Sequence, residues 1–184
     1  MTVSINPSKL YGIVTAPPSK SAGHRSLICA SLSNQEVKIK NLGTSDDITA
    51  TINVLKALGA KVVKSDNATV VNPNLKPVKN VTLDCNESGS TARFMLPVVA
   101  ALGCENAKFI GSGRLPLRPF GVLCDALRKN GVFCSSDALP ITISGKLQNG
   151  TFELPGDISS QYISGLLFVL SITKGISTII LTSP

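Results

Sequence analysis

Three segments of this 184-residue chain repeat one order of parts, and that order limits the fold more than any other feature. The first reads GIVTAPPSKSAGHRSLICASL, then EVKIKNL, then GTSDDITATINVLKALGAKV. The second reads VTLDCNESGSTARFMLPVVAALG, then NAKFIG, then SGRLPLRPFGVLCDALRKNGV. The third reads GTFELPGDISSQYISGLLFVL, then STIILTS, and has no second half. Arg25, Arg93 and Tyr162 stand 68 and 69 residues apart, and Gly59 and Gly131 stand 72 apart. Each unit predicts strand, polar turn, apolar helix, strand, second turn and, where the chain continues, an amphipathic helix with further strand. The unclosed third unit predicts a chain that is part of a longer one.

Local chemistry supports these elements. Ser45, Asp46 and Asp47 precede ITATINVLKAL as helix caps, with Ile48, Ile52 and Leu55 spaced to line a buried face. Pro119 fits the first turn of a helix through FGVLCDALRKN, and Gly59 and Gly131 fall where a left-handed helix end is expected. NPNLKPVKN reads as the loop between the first two units. In TAPPSKSAGHRSL, Pro17 and Pro18 predict the end of a strand, and a helix is expected from near Ser21.

Units packed side by side about a pseudo-threefold axis would bring their first turns to one end. Those turns supply Lys20, Ser21 and Arg25; Gly89, Ser90 and Arg93; and Ser159, Ser160 and Gln161, with Arg114 and Arg118 in the adjoining GSGRLPLRP. Hydroxyls and helix N-terminal amides bond to anionic oxygens, arginine clamps carboxylate or phosphate with two bonds, and glycine lets the backbone approach closely. Only Glu87 and Asp157 bring negative charge into the first turns. The pattern predicts a site for more than one anionic group.

The net charge of +7 fits an acidic partner. Nucleic acid is disfavoured, because the cations are scattered, aromatics are 4% and tryptophan is absent, which leaves no stacking platforms. A small polyanion suits better. The five cysteines lack a Cys-x-x-Cys pair and predict reduced, buried thiols; with His24 as the only histidine, a zinc site is not expected. No stretch is long and apolar enough for a membrane span, so a cytoplasmic protein is the expectation. His24 is expected at the surface or in a cap, and Arg93 and Arg118 are expected to pair with acids or helix carbonyls.

PSKSAGHR, the SDD turn, ESGSTAR, GRLPLRP and GDISSQY, in that order, resemble the motifs of the enolpyruvyl transferases, specifically the branch acting on shikimate 3-phosphate. The resemblance covers essentially the whole chain as the N-terminal part of such an enzyme. It implies an inside-out α/β lobe of repeated βαβαββ units about a pseudo-threefold axis. Residues 1–13 would belong to the other lobe and residues 14–184 to the N-terminal substrate-binding lobe.

The implied reaction transfers the enolpyruvyl group of phosphoenolpyruvate to the 5-hydroxyl of shikimate 3-phosphate with release of phosphate. No cofactor or metal is implied. Lys20 would contact phosphoenolpyruvate and assist proton movement; Ser21 and Arg25 would hold the shikimate carboxylate and hydroxyls. Gly89, Ser90 and Arg114 would line the phosphoenolpyruvate pocket, Ser159 and Ser160 would take the 3-phosphate, and Gln161 would sit near the ring. The main catalytic carboxylates would come from a C-terminal lobe, so these residues alone should bind weakly and turn over negligibly. A sister transferase acting on a nucleotide sugar and a basic nucleic-acid-binding module are the alternatives. Pro17-Pro18-Ser19 in place of the frequent Pro-Gly-Ser, Ser90 in place of threonine, and Pro116 between the arginines depart from the common pattern, and Pro116 bears on how Arg114 is presented.

Overall fold

A computed structural model describes residues 3–65 and 68–183. The second unit is complete. Strand β4 (Thr82–Asp84) leads into α3 (Gly89–Leu102), then β5 (Ala107–Ile110), α4 (Gly121–Lys129), β6 (Phe133–Cys134) and β7 (Ile141–Ser144). Its sheet runs β4-β5-β7-β6, with β4 parallel to β5 and the other pairs antiparallel. This is the βαβαββ unit expected from the repeat.

The other units are the same plan with parts missing. The first has α1 (Lys20–Leu32), β1 (Val37–Ile39), α2 (Asp46–Ala57), β2 (Lys61–Lys64) and β3 (Thr69–Asn72), in an antiparallel sheet of order β1-β3-β2. The third has β8 (Thr151–Leu154), α5 (Ser160–Leu170) and β9 (Thr178–Leu181), with β8 parallel to β9.

One expectation fails here. The strand that Pro17 and Pro18 should end does not form, and residues 3–19 have no regular structure. Among the described residues no strand pairs with this segment, and an extended run without a partner gains no ladder bonds. Ile13 and Val14 are accordingly 100% and 90% exposed.

Helix α3 packs closely against α5 and also touches α1, α2 and α4, and each sheet turns one face inward. Strands therefore alternate, as in β8, where Phe152 and Leu154 are buried and Thr151 and Glu153 are exposed. Helix α3 is buried along nearly its whole length, from Gly89 to Ala100, as an apolar-all-round helix must be. Pro97 lies inside it and has no N–H for the Arg93 carbonyl one turn back. Helix α5 packs Gly165 against that same carbonyl; a Cβ at Gly165 would sit 2.8 Å from the Arg93 oxygen.

Each helix that starts at the polar end carries a serine cap. Ser19, Ser45, Ser88 and Ser159 accept from the amides of Ala22, Ile48, Thr91 and Gln161. Helix α1 thus begins at Lys20, one residue before the expected start, because Ser19 is the cap. Asp46 and Asp47 occupy the first turn of α2 instead of capping it, where their charge suits the helix dipole. Helix α4 begins at Gly121, so Pro119 lies just outside it, and the Pro119 carbonyl accepts from the Tyr162 hydroxyl at 2.7 Å. Gly59 and Gly131 do take left-handed backbone, with φ of 105° and 90°.

Two further expectations change. His24 is 2% exposed and hydrogen-bonded in the core rather than at the surface. Four cysteines are buried free thiols, but Cys29 is exposed on the solvent side of α1. Among the described residues no helix is long and apolar enough to cross a membrane.

Candidate functional site

The first turns of α1, α3 and α5 meet at one pole of the molecule. Arg25 on α1 donates to the Ser21 hydroxyl, to the Ser21 carbonyl at 3.1 Å, and across to Ser164 Oγ on α5 at 3.4 Å. Gln161 on α5 bridges to α3 twice: its Oε1 accepts from Arg93 at 2.9 Å and its Nε2 donates to Ser90 Oγ at 2.8 Å. These bonds join residues separated by 139, 68 and 71 positions. Each unit contributes to the same polar surface.

Lys20 stands at the start of α1 and donates to Asp47 Oδ2 of α2 at 2.8 Å. That hydrogen bond, reinforced by the opposite charge, raises the lysine pKa above its usual value. The group is therefore an ammonium at neutral pH: a donor and a point charge rather than a base. Its side chain is 59% exposed, so the pair orients Lys20 more than it stabilises the fold.

The arginines carry the rest of the positive field. Among the described residues, Arg25, Arg93, Arg114 and Arg118 have no carboxylate ion-pair partner. This differs from the pairing with acids or helix carbonyls expected for Arg93 and Arg118, since the hydrogen bond Arg93 makes is to the Gln161 side chain. Instead Arg25 lies 5.0 Å over the ring of Phe94, and Arg93 lies 5.5 Å and 5.7 Å over the rings of Phe120 and Tyr162. Aromatic faces hold a guanidinium in place without neutralising it. Arg93 and Arg118 converge above Gly89, where a Cβ would stand 2.9 Å and 2.8 Å from their Nη1 atoms. The absence of a side chain at residue 89 is what lets both guanidiniums close over the start of α3.

Ser159 caps α5 through the Gln161 amide at 3.3 Å, and Ser160 begins the helix with an exposed side chain. Arg114 is exposed at the start of a short 3-10 turn, Leu115–Leu117, which contains Pro116. This turn is tied to the β4–α3 turn, since the Ser112 amide donates to the Asn86 carbonyl at 2.9 Å. Gly113 has a φ of 55°, and a side chain there would collide with the Glu87 carboxylate. Arg114 thus flanks the α3 start, although no hydrogen bond links it to Lys20 or Ser160.

Beneath this surface runs a buried row that the sequence reading did not find. His24 Nδ1, Thr51 Oγ1, Thr91 Oγ1 and Ser88 Oγ follow one another at 2.7 Å intervals. Both threonine hydroxyls also reach the Asp47 carbonyl at 3.4 Å. Thr51 lies four residues after Asp47, hence on its helix face, but nothing in the sequence pairs Thr51 with Thr91. Burial pushes the His24 pKa below its ordinary value, although Asp47 opposes the shift.

The cation cluster is an open face rather than an enclosed cavity. A cavity of about 500 Å³ lies at the opposite pole, lined by Leu102, Leu147 and Ile172 among others, and one of about 320 Å³ lies between α2 and β4. Neither contains a basic residue of the cluster.

Comparison with known proteins agrees with this architecture. Residues 5–184 match the family model for EPSP synthase (3-phosphoshikimate 1-carboxyvinyltransferase). Over 185 residues, 98% of this chain, it is 45% identical to the 3-phosphoshikimate 1-carboxyvinyltransferase of Clostridium kluyveri. It is 43% identical over 190 residues to that of Clostridium botulinum strain Alaska E43. The chain spans 43% and 44% of the lengths of those relatives. The solved EPSP synthase of Acinetobacter baumannii superposes on 94% of this chain with a TM-score of 0.79 at 19% identity, using 41% of its own chain. The α/β fold of repeated units is shared with that structure. On the strength of the family match along almost its whole length, the chain belongs to the EPSP synthase (3-phosphoshikimate 1-carboxyvinyltransferase) family.

Proposed function

We propose that residues 14–184 form the substrate-binding lobe of an enzyme that moves the enolpyruvyl group of phosphoenolpyruvate onto the 5-hydroxyl of shikimate 3-phosphate. In that reaction the hydroxyl oxygen bonds to the phosphate-bearing carbon, the carbon–oxygen bond to phosphate breaks, and inorganic phosphate leaves. The observation that carries the proposal is the meeting of three helix starts with four guanidiniums that lack carboxylate partners among the described residues. Two unit charges of like sign held ~6 Å apart repel by about 3 kcal/mol at an effective dielectric of ~20, and each substrate carries several. Cations must offset that repulsion before proximity can accelerate anything.

The roles are those the family resemblance implies. Ser21 and Arg25 on α1 hold the shikimate carboxylate and hydroxyls; Ser159 and Ser160 at the start of α5 take the 3-phosphate, and Gln161 sits near the ring. Gly89, Ser90 and Arg114 line the phosphoenolpyruvate side. Lys20, kept as an ammonium by Asp47, steadies phosphoenolpyruvate and supplies a proton rather than removing one. The base for the 5-hydroxyl and the main catalytic carboxylates come from a second, C-terminal lobe. Residues 1–13 belong to that lobe, which fits the exposure of Ile5, Leu10, Tyr11 and Ile13.

Calorimetry with shikimate 3-phosphate tests the site: the chain should bind it weakly, and Arg25→Ala or Ser160→Ala should weaken binding about tenfold or more, the worth of one charge-assisted hydrogen bond. Unchanged affinity in both variants would remove the assignment. Salt-sensitive retention on DNA that ignores Lys20→Ala, together with no shikimate 3-phosphate binding, would favour a nucleic-acid module instead.

A further inference from the structure

The contact between α3 and α5 holds two hydrogen bonds in series whose direction is set by a group that can only donate. Arg93 Nη1 lies 2.9 Å from one end of the Gln161 side-chain amide, and the other end lies 2.8 Å from Ser90 Oγ. A guanidinium has no acceptor. The end of Gln161 that faces Arg93 must therefore be its oxygen, which leaves Nε2 to donate and the Ser90 oxygen to accept. The Ser90 proton and the second Nε2 proton are then left for another group, and no acceptor among the described residues takes either.

Arg93 has little freedom to turn away from this role. Its guanidinium lies 5.5 Å over the ring of Phe120 and 5.7 Å over that of Tyr162, which are 0% and 2% exposed. The Tyr162 ring is itself pinned, since its hydroxyl donates to the Pro119 carbonyl at 2.7 Å. Arg93 Nε is buried without a partner among the described residues, so the hydrogen bonding of this guanidinium is directed to Gln161 alone. An apolar side chain would fill the space between the rings without leaving a buried donor unmet. What it could not do is fix which end of Gln161 points inward, because the oxygen and the amino group of an amide are nearly equal in shape.

We propose that Arg93 is a positioning residue: by binding the Gln161 oxygen it makes Gln161 and Ser90 a pair that presents only N–H and O–H donors to the open cationic face, and so selects an unprotonated, anionic oxygen of the substrate. This selection deepens the substrate-site reading above and rests on it. The orientation of Gln161 in the free chain does not. A carboxylate at 161 would undo the arrangement, since both its oxygens accept, Ser90 would donate to it, and the pair would have no proton left to offer.

NMR of the free chain reads the orientation. Nuclear Overhauser contacts from the Gln161 side-chain amide protons, identified by their loss in Gln161→Glu, should reach the Ser90 β-protons and fade in Arg93→Met, whose apolar stem still fills the space between the rings. Their absence in the natural chain, or their persistence at full strength in Arg93→Met, overturns the positioning role.

Calorimetry with shikimate 3-phosphate reads the consequence. Arg93→Met should weaken binding about tenfold in the natural chain but no more than about threefold in Gln161→Ala, where only the loss of one positive charge is left to act; Gln161→Glu should weaken it about tenfold. Equal losses in the two backgrounds would make Arg93 a simple point charge and defeat the proposal. Should Arg93→Met fail to fold, full affinity in Gln161→Glu defeats it equally. Absence of binding by the natural chain would instead defeat the substrate-site reading and the selection of an anionic oxygen with it, while the amide contacts would still decide how Gln161 is held.

Discussion

At the residue scale, what a group can do is decided by who its neighbour is. Lys20 is kept protonated by Asp47, so Asp47→Asn should lower the Lys20 pKa toward the free-lysine value, read by ¹³C NMR of the lysine side chain, with little change in melting temperature because the pair is solvent-exposed. An unmoved lysine titration would mean that the contact is not formed in solution. Gly89 is a second case. A methyl group there meets only the ends of Arg93 and Arg118, which can swing aside. Gly89→Ala should therefore fold with a melting temperature near that of the natural chain yet bind phosphoenolpyruvate less tightly, because the displaced guanidiniums and the methyl occupy the approach to the α3 amides. Equal affinity would place phosphoenolpyruvate elsewhere.

At the scale of elements, the contact between α3 and α5 depends on two residues that look unfavourable in isolation. Pro97 leaves the Arg93 carbonyl without its helical partner, and Gly165 allows α5 to approach that bare carbonyl. A Cβ at 165 would meet the Arg93 carbonyl oxygen at 2.8 Å and the Pro97 ring at 3.1 Å, neither of which can rotate away. Gly165→Ala should cost roughly 1–3 kcal/mol in urea unfolding despite alanine's better helix propensity, the range for overpacking. A stabilised variant would show that the helices are not in close contact. The capping serines were readable from sequence as polar turns before apolar runs. The exact cap is less legible: α1 starts at Lys20 on Ser19 rather than near Ser21, and of Ser45, Asp46 and Asp47 only Ser45 is the cap, because only the fold shows where the chain leaves extended geometry.

For the molecule as a whole, the pH dependence of stability should carry the mark of His24. Its pKa in the fold is below that in the unfolded chain, so the unfolded state binds more protons between the two values, and unfolding free energy rises with pH there. The penalty is absent above about pH 6.5, the unfolded value, and grows as pH falls below it toward the folded pKa. Urea titrations should show a loss of stability below about pH 6.5 that is smaller in His24→Asn; identical profiles would mean that the ring is not buried neutral.

The repeat made the βαβαββ plan, the three helix starts and most of the cation cluster legible, because strand and helix periods and turn residues are written locally in the chain. The amphipathic face of α2 was equally legible, with Ile48, Ile52 and Leu55 all buried. Partnership between distant residues was not. The expected strand before Pro17 fails for want of a neighbour, His24 lies inside rather than outside, and Arg93 rests on Phe120 and Tyr162 instead of an acid. Sequence alone determined which residues form helices and turns and that positive groups recur at each unit's first turn, since those follow from side-chain periodicity and backbone preference. Only the tertiary structure decided which side chains meet, because contacts across 27 to 139 positions are set by how α1, α2, α3 and α5 pack, and that packing is where the His24 row and the unneutralised arginines arise.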